Sequence, residues 1–348
     1  FSYKQRTKTN LDNTRQTIET FKPDVIFIHI MWNLSRGVAW MAEQLCPGRV
    51  VYYIADHWPY MPDPHQAYWR DQANNPILNL LKQSVAPLPL KMIERDQKTF
   101  QLKFQHVLCV SNALKESLQQ NTDINPSAMH VVYNGIDTKR FIDARKAANN
   151  QPQATALSLL YAGSLVWHKG VHTTIEAMAV LVNRFKLENI HLTLVGSGHP
   201  DYEAHLKSLV EENRLTSFVH FKGRVPREEM PELLPQFDVL IFPSTYEEPL
   251  ARMTQEAMAS DLVVVGTTTG GTKEILIEGQ TGLTFPPEDA DMLAEQIKRL
   301  IDHPRLRTQL IDNARTKVIN EFDISRMITE IEWHLSQAAE IIPAAVNS

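Results

Sequence analysis

Cysteine is scarce. Cys46 and Cys109 stand 63 positions apart, and neither belongs to a C-x-x-C pair. That excludes a disulfide framework and a zinc ribbon, and it reads as two buried thiols in a reducing compartment. Long hydrophobic runs are absent too; none approaches the ~18–20 residues a membrane span needs. An excess of positive charge is also lacking. The 35 Lys and Arg against 40 Asp and Glu give a net −5, which excludes a protein whose whole surface grips nucleic acid. The balance is uneven along the chain. The first 150 residues hold 18 basic and 13 acidic side chains, the rest 17 and 27, so an anionic surface would meet the first half. With 43% hydrophobic and 22% charged residues the chain is not disordered, and its 348 residues suit two domains.

Short apolar runs alternate with longer amphipathic segments, the pattern of parallel sheets covered by helices. Strands are expected at Val25–Ile30, Val50–Ile54, His106–Val110 and His130–Tyr133. A second series follows at Leu157–Ala162, Ile190–Val195, Phe218–Phe221, Val239–Phe242, Val263–Gly266 and Leu283–Phe285. Helices are expected over Ser35–Gln44, Lys91–Phe104 and Asn112–Gln119. Later ones cover Gly170–Phe185, Asp201–Asn213, Arg227–Leu234, Ala251–Ala259, Asp289–Asp302, Arg305–Asn320 and Ile324–Ala339. The polar stretch Asp143–Ala156 reads as structureless linker. The expected layout is a first domain over 1–147, a linker over 148–156 and a second domain over 157–322. A C-terminal helix over 323–348 would pack back on the first domain. In doubly wound sheets ligands bind beyond the carboxyl ends of the strands, so the loops there carry the interest.

In the first such loop, Tyr161-Ala-Gly-Ser-Leu-Val-Trp-His-Lys-Gly170, a strand ends at Ala162 and a helix opens near Gly170. Glycine, helix-start amides and Lys169 make an anion cradle, or else a plain turn with a solvated lysine. Val195-Gly-Ser-Gly-His-Pro200 invites a dinucleotide reading, but Asp201 stands where the third glycine belongs, so a tight turn is the better account. After the strand ending at Phe242, Pro249 suits the first turn of a helix, leaving Glu248 at its mouth with free amides at Leu250 and Ala251. Glu256 follows eight residues on, ~12 Å along the axis and ~80° around it. The two carboxylates suit a donor with hydroxyls at both ends, or are two solvated glutamates. Thr267–Ile275 is a run of small residues beside the same strands, equally a ligand loop or a flexible turn. No metal set emerges. Asp289 and Asp291 begin a helix and read as caps. His168 and His172 have H-x-x-x-H spacing without the glutamate or a third ligand.

Taken together these loops resemble glycosyltransferase family 4, the retaining sugar-nucleotide transferases of GT-B architecture. Lys22-Pro-Asp-Val25 with His29 resembles the family's first-domain K-P-D-V strand, and Val110-Ser111 precedes a helix as the family's does. Val132-Tyr-Asn-Gly-Ile-Asp137 with Phe141 is similar to P-N-G-[VI]-D-x-x-x-F. Gly163-Ser-Leu with Lys169-Gly170 is similar to G-R-L-x-x-x-K-G. Glu248-Pro-Leu-Ala with Glu256 is similar to the E-P-F-G loop and its second glutamate. Gly270-Gly-Thr-Lys-Glu-Ile275 and Gly279-Gln-Thr-Gly-Leu283 complete the order. The fold class implied is α/β: two Rossmann-like doubly wound parallel-sheet domains facing a cleft.

The resemblance implies a retaining glycosyltransferase of hexosyltransferase type. It would move a sugar from a nucleotide-diphosphate donor to a glycan, lipid-linked or small-molecule hydroxyl, in polysaccharide biosynthesis, without cofactor or metal. Lys169 would grip the diphosphate and Glu248 meet the donor sugar. Gly163, Ser164 and the Leu250 and Ala251 amides would line the phosphates, Glu256 would hold the ribose, and Arg224 and Val225 would contact the base. Five positions depart from the family pattern: Ser164 replaces an arginine, Ala251 and Asp261 each a glycine, Tyr133 a proline, and Ala55 the histidine that many members carry before the Asp. Asp56 and His57 are acceptor-side candidates. Relatives act in the cytoplasm, often at the inner membrane face. The cationic stretch Lys91–Phe104 either lies on an anionic membrane there or is a packing helix. Nothing before Lys22 resembles the family's opening strand and Gly-rich loop, so the first domain is expected to be incomplete. A scaffold that binds nucleotide sugar without turnover, and a sugar-nucleotide epimerase, are the alternatives.

Overall fold

The computed structural model describes residues 2–31, 34–61, 64–72, 75–148 and 156–340. Contacts divide the chain into two units, Phe1–Val132 with Thr329–Ser348, and Tyr133–Ile328.

The first unit holds four parallel strands, β1 (Ile26–His29), β2 (Val50–Ile54), β3 (His106–Cys109) and β4 (Met129–Val131), side by side in chain order. All five residues of β2 are buried, as expected of a central strand covered on both faces. Ser35 and Ser111 cap the helices Arg36–Leu45 and Asn112–Asn121 by accepting from the amides of Gly37 and Leu114. Cys46 and Cys109 are buried free thiols. The expected Lys91–Phe104 helix instead covers Pro87–Thr99. Its end is fixed by the buried carboxylate of Glu43, which accepts from the amides of Lys103 (2.8 Å) and Phe104 (3.0 Å) and from Tyr52 Oη (2.9 Å). Those amides are thereby lost to a helix. Ile93 of this helix and Phe100 and Phe104 beyond its end are buried, so these apolar side chains pack inward. Three helices of this unit lie outside those expected, Ser2–Phe21, Pro64–Arg70 and Pro76–Val85.

The second unit holds six parallel strands: β5 (Leu157–Ala162), β6 (Ile190–Val195), β7 (Val219–Gly223), β8 (Val239–Phe242), β9 (Val263–Gly266) and β10 (Leu283–Thr284). Their spatial order is β7-β6-β5-β8-β9-β10. The chain builds outward from β5 in one direction, then returns to lay β8 on its other side. That is the doubly wound order with a switch point between β5 and β8. Leu159, Leu192, Leu194, Val239, Ile241 and Val265 pack the core with Ile175 and Met178 of the Val171–Ala179 helix.

The stretch read as linker from Asp143 is in its first part helical. Thr138–Ala148 is a helix of the second unit, with Phe141 buried, Arg140 Nη2 donating to Glu228 O and Arg145 facing Asp261. Apolar and ionic contacts at one-turn spacing override its polar composition. The remaining expected linker positions 149–155 lie outside the described residues. The helix Ile324–Ala339 begins in the second unit, and from Thr329 onward its residues belong to the first. No helix among the described residues is long and apolar enough to cross a membrane.

Candidate functional site

The loops leaving β5 and β8 flank the switch point and are stitched together. The carbonyl of His168 accepts from the amide of Thr245 (3.0 Å) and from Ser244 Oγ (3.3 Å). Gly170 has φ +64°, and a Cβ there would stand 2.1 Å from the Pro243 carbonyl oxygen. Only glycine allows the two backbones this close. The approach sets the Lys169 ammonium directly against Glu248 Oε1, which also accepts from Ser244 Oγ at 2.9 Å.

A third loop fixes Glu248 from behind. The Gly271 amide donates to the Glu248 carbonyl at 2.7 Å, and Thr267 Oγ1 donates to the Ser244 carbonyl at 2.6 Å. Gly270, at φ +56°, leaves 2.3 Å between a would-be Cβ and the Glu248 carbonyl oxygen. The run of small residues at Thr267–Ile275 therefore positions the Glu248 loop.

A cavity of about 260 Å³ opens between these loops. Six of the sequence-derived residues line it: Gly163, Ser164, Lys169, Glu248, Leu250 and Ala251. Tyr161, Ser244, Arg252 and Met253 line it as well, and sequence reasoning missed all four. Arg252 had a signal, being the residue next to Ala251 at a helix start. Tyr161 had none, since it reads as a core strand residue. Its hydroxyl donates to the Ser164 carbonyl at 2.8 Å and shapes the loop from below.

The helix after β8 starts later than expected. It runs Arg252–Ala259 with Ala251 at the cap position, so Pro249 lies outside it. The reason is the Glu248 backbone, held by the Gly270–Gly271 turn in a non-helical path. Leu250 and Ala251 line the cavity, and no backbone acceptor for their amides is found among the described residues.

Glu256 does not join this cavity. Its carboxylate is buried, and Arg227 Nη2 lies 3.4 Å from Oε1. Burial raises its pKa above the usual glutamate value, while Arg227 and Arg252 pull against the shift. Arg224 and Val225 lie beyond β7, which extends to Gly223, and neither lines the cavity. Asp56 and His57 belong to the first unit, just past β2. Asp56 accepts from the Trp58 amide (3.0 Å), and His57 Nδ1 meets Tyr60 Oη (2.8 Å). His29, at the end of β1, has its pKa lowered by burial, with Asp56 opposing the shift.

The residues set aside as metal ligands have other partners. His172 Nδ1 meets Tyr202 Oη at 2.8 Å, and the His168 ring packs 5.5 Å from that of Tyr246. Asp289 caps the Ala290–Asp302 helix through the Met292 amide, and Asp291 pairs with Arg184. Among the described residues no group of three or more His, Cys, Asp or Glu is placed to hold a metal.

The family profile described as Glycosyl transferases group 1 matches residues 143–317, and that of Glycosyltransferase Family 4 matches residues 2–140. The chain belongs to the glycosyl transferases group 1 family. Its fold is GT-B. A glycosyltransferase from Rickettsia africae ESF-5 superposes with TM-score 0.73 at 18% identity, covering 97% of this chain and 82% of that one. Anabaena HepE in complex with UDP gives TM-score 0.71 at 21%, covering 94% and 82%. In sequence the chain is 30% identical over 199 residues to glycogen synthase of Mycobacterium tuberculosis, covering 57% of this chain and 46% of that protein. It is 29% identical over 228 residues to the MMP alpha-(1->4)-mannosyltransferase of Mycolicibacterium hassiacum, covering 65% and 52%. The chain thus spans about half the length of these curated relatives.

One departure from the group 1 pattern explains itself. Asp261 sits at φ +63°, the conformation for which glycine is used. Its carboxylate accepts from Arg315 Nη1 at 2.5 Å and lies 3.7 Å from Arg145 Nε. The side chain offsets its backbone strain by tying two helices together.

Proposed function

We propose that this chain is a retaining glycosyltransferase that moves a hexosyl group from a nucleoside-diphosphate sugar to a hydroxyl acceptor. The observation carrying this reading is the convergence of Lys169, Glu248, Leu250 and Ala251 on one cavity at the switch point of a doubly wound sheet. In such sheets a ligand's phosphates sit at that point. Anabaena HepE has been crystallised in complex with UDP and with UDP-glucose, in keeping with a uridine or similar donor here.

In this reading the acceptor oxygen forms a bond to the anomeric carbon as the bond from that carbon to the β-phosphate oxygen breaks. The electron pair stays on the phosphate, and the acceptor proton passes to the departing oxygen on the same face. The chemical difficulty is negative charge gathering on the leaving group. Aimed cations and amides stabilise it at no reorganisation cost. Lys169, released from Glu248 by the incoming diphosphate, supplies one charge, and the Leu250 and Ala251 amides supply dipoles. Arg252 lines the same cavity and supplies the second cation that Ser164 does not. Glu248, relieved of Lys169, accepts from donor sugar hydroxyls, and Glu256 accepts from the ribose. The Arg224 and Val225 backbone meets the base, and Asp56 and His57 serve the acceptor side. The acceptor is a carbohydrate or lipid-linked hydroxyl presented in the cytoplasm.

Thermal shift against a panel of UDP, GDP and ADP sugars tests the reading, since a ligand of the folded state raises apparent stability. One class should stabilise the chain, and Lys169→Ala should remove that response and lower transfer ~10²–10³-fold. No response to any nucleotide sugar refutes the proposal. Binding without sugar transfer or release, in a chain whose Lys169 is neutralised by Glu248, would instead identify a scaffold.

A further inference from the structure

The Pro76–Val85 helix is at odds with the rest of the first unit. Asn75 caps it by accepting from the Ile77 amide at 2.9 Å, so it is a well-formed helix, yet none of its ten residues is buried. Ile77, Leu78, Leu80, Leu81 and Val85 are each between 51 and 72% exposed, and Leu88 of the following helix is 73% exposed. At ~100° per residue, Ile77, Leu81 and Val85 fall at 0°, ~40° and ~80°, Leu78 at ~100° and Leu80 at ~−60°. The apolar arc is thus ~160° wide, with Ser84 at ~−20° inside it turning its hydroxyl onto the Leu80 carbonyl at 2.9 Å, and Asn79 and Gln83 hold the opposite side. Contiguous apolar surface of this extent marks an interaction site.

The charge around the arc says what kind. Lys82 falls at its rim, with Nζ 4.4 Å above the ring of the exposed Tyr68. Lys91 is exposed a little further on. From Gln72 to Ile93 there is no aspartate or glutamate. Asp71 closes the acid-free stretch on its N-terminal side, and its backbone carbonyl accepts from Lys82 Nζ at 2.8 Å. An apolar face bordered by lysines and a tyrosine matches the zone where acyl chains meet anionic headgroups. Tyrosine favours that level because its ring is apolar and its hydroxyl is wet.

We propose that the Pro76–Val85 helix is an interfacial anchor that lays its apolar face into an anionic lipid surface. The cationic segment Lys91–Phe104 turns its own apolar residues inward, whereas this helix, one turn of chain earlier, turns them out. The anchor and the donor cavity are separate features, and either can be wrong without the other.

The test is sedimentation of the whole chain with vesicles of phosphatidylcholine alone and of phosphatidylcholine containing phosphatidylglycerol. Binding is expected to the second composition at low salt and to be lost at high salt. Leu78→Ser with Leu81→Ser should weaken it about tenfold or more. Lys82→Gln with Lys91→Gln should weaken it about thirtyfold. Far-UV circular dichroism and the nucleotide thermal shift should be unchanged in both pairs, because these side chains hold nothing in the interior. Three outcomes overturn the proposal. One is no sedimentation with either composition at low salt. Another is binding indifferent to both variant pairs. The third is self-association in sedimentation velocity that the leucine pair abolishes while vesicles are ignored, which would give the face to a second copy of the chain.

Discussion

Two glycines with the same backbone conformation separate conformational strain from the close approach that builds the site. Gly170 has φ +64° and Gly279 has φ +67°. A methyl group at Gly279 meets nothing within 4 Å, whereas at Gly170 it stands 2.1 Å from the Pro243 carbonyl oxygen. Gly279→Ala therefore costs only the left-handed conformation, ~1–2 kcal/mol. Gly170→Ala costs that and also forces the loop after β5 off the loop after β8. The His168 carbonyl accepts from the Thr245 and Tyr246 amides and the Ser244 and Thr245 hydroxyls, which share its two lone pairs. Losing the equivalent of about two full hydrogen bonds, at ~1 kcal/mol each, brings the cost to ~3–4 kcal/mol in all. For a unit of this size ~2–4 °C is lost per kcal/mol. The melting temperature should fall ~2–8 °C in Gly279→Ala and ~6–16 °C in Gly170→Ala. Lys169 is the neighbour of Gly170 and moves with it, so Gly170→Ala should also abolish the stabilisation by nucleotide sugar, while Gly279→Ala keeps it. Calorimetry with and without donor reads both effects. Equal melting losses, or an intact donor response in Gly170→Ala, would refute the claim that this contact sets the site.

Two further expectations rest on single side chains. Burial raises the pKa of Glu256, so its ionised form is lost at a higher pH than for an ordinary glutamate. Donor affinity should weaken as pH falls through that raised pKa, and Glu256→Gln should bind weakly but without the pH dependence over that range. The stability contribution has the opposite sense. The folded state holds this proton more tightly than the unfolded one, so the stabilisation is full below the ordinary glutamate value and is lost as pH rises through the folded value. A titration calorimetry series against pH, in which wild type and Glu256→Gln ran parallel, would count against Glu256 as a ribose acceptor. At Asp261, replacement by alanine loses the Arg315 and Arg145 contacts and keeps the strained backbone, whereas glycine loses the contacts and relieves the strain. The melting order should be wild type, then Asp261→Gly, then Asp261→Ala, with the two variants ~1 kcal/mol apart. An alanine variant as stable as the glycine one would show that strain has no part.

Much of the fold was legible because buried parallel strands announce themselves. Val50–Ile54, Leu157–Ala162, Ile190–Val195, Val239–Phe242 and Val263–Gly266 appear at the expected bounds, each a run of apolar residues with polar turns beyond it. The loop residues that face the cavity were legible for a related reason. Gly163, Lys169, Glu248 and Ala251 stand where strands end, and in a doubly wound sheet those ends gather on one side. Their mutual arrangement was not legible. Nothing in the local sequence says that Lys169 is held by Glu248, or that Gly270 exists to let the Glu248 backbone pass. Both facts arise from loops some 80 and 20 residues apart meeting in space.

The polar stretch after Asp143 misleads, and the cationic stretch after Lys91 leaves two readings open, for one shared cause. Composition reports how much polarity a segment has, and the fold decides which way it points. Thr138–Ala148 looks like linker because it is polar, yet Phe141 and Arg145 fall on one side and find buried partners there. Lys91–Phe104 reads either as a membrane surface, because it is basic, or as a packing helix, and the fold buries its Ile93 and Phe100. The Pro76–Val85 helix has a single lysine and drew no notice, because a leucine-rich decapeptide reads as an interior segment. Among the described residues none of its side chains is buried. A charge count finds where a chain attracts an anionic surface, but insertion needs apolar area facing outward. Only the structure shows that the two occur together at Lys82 and its neighbouring leucines.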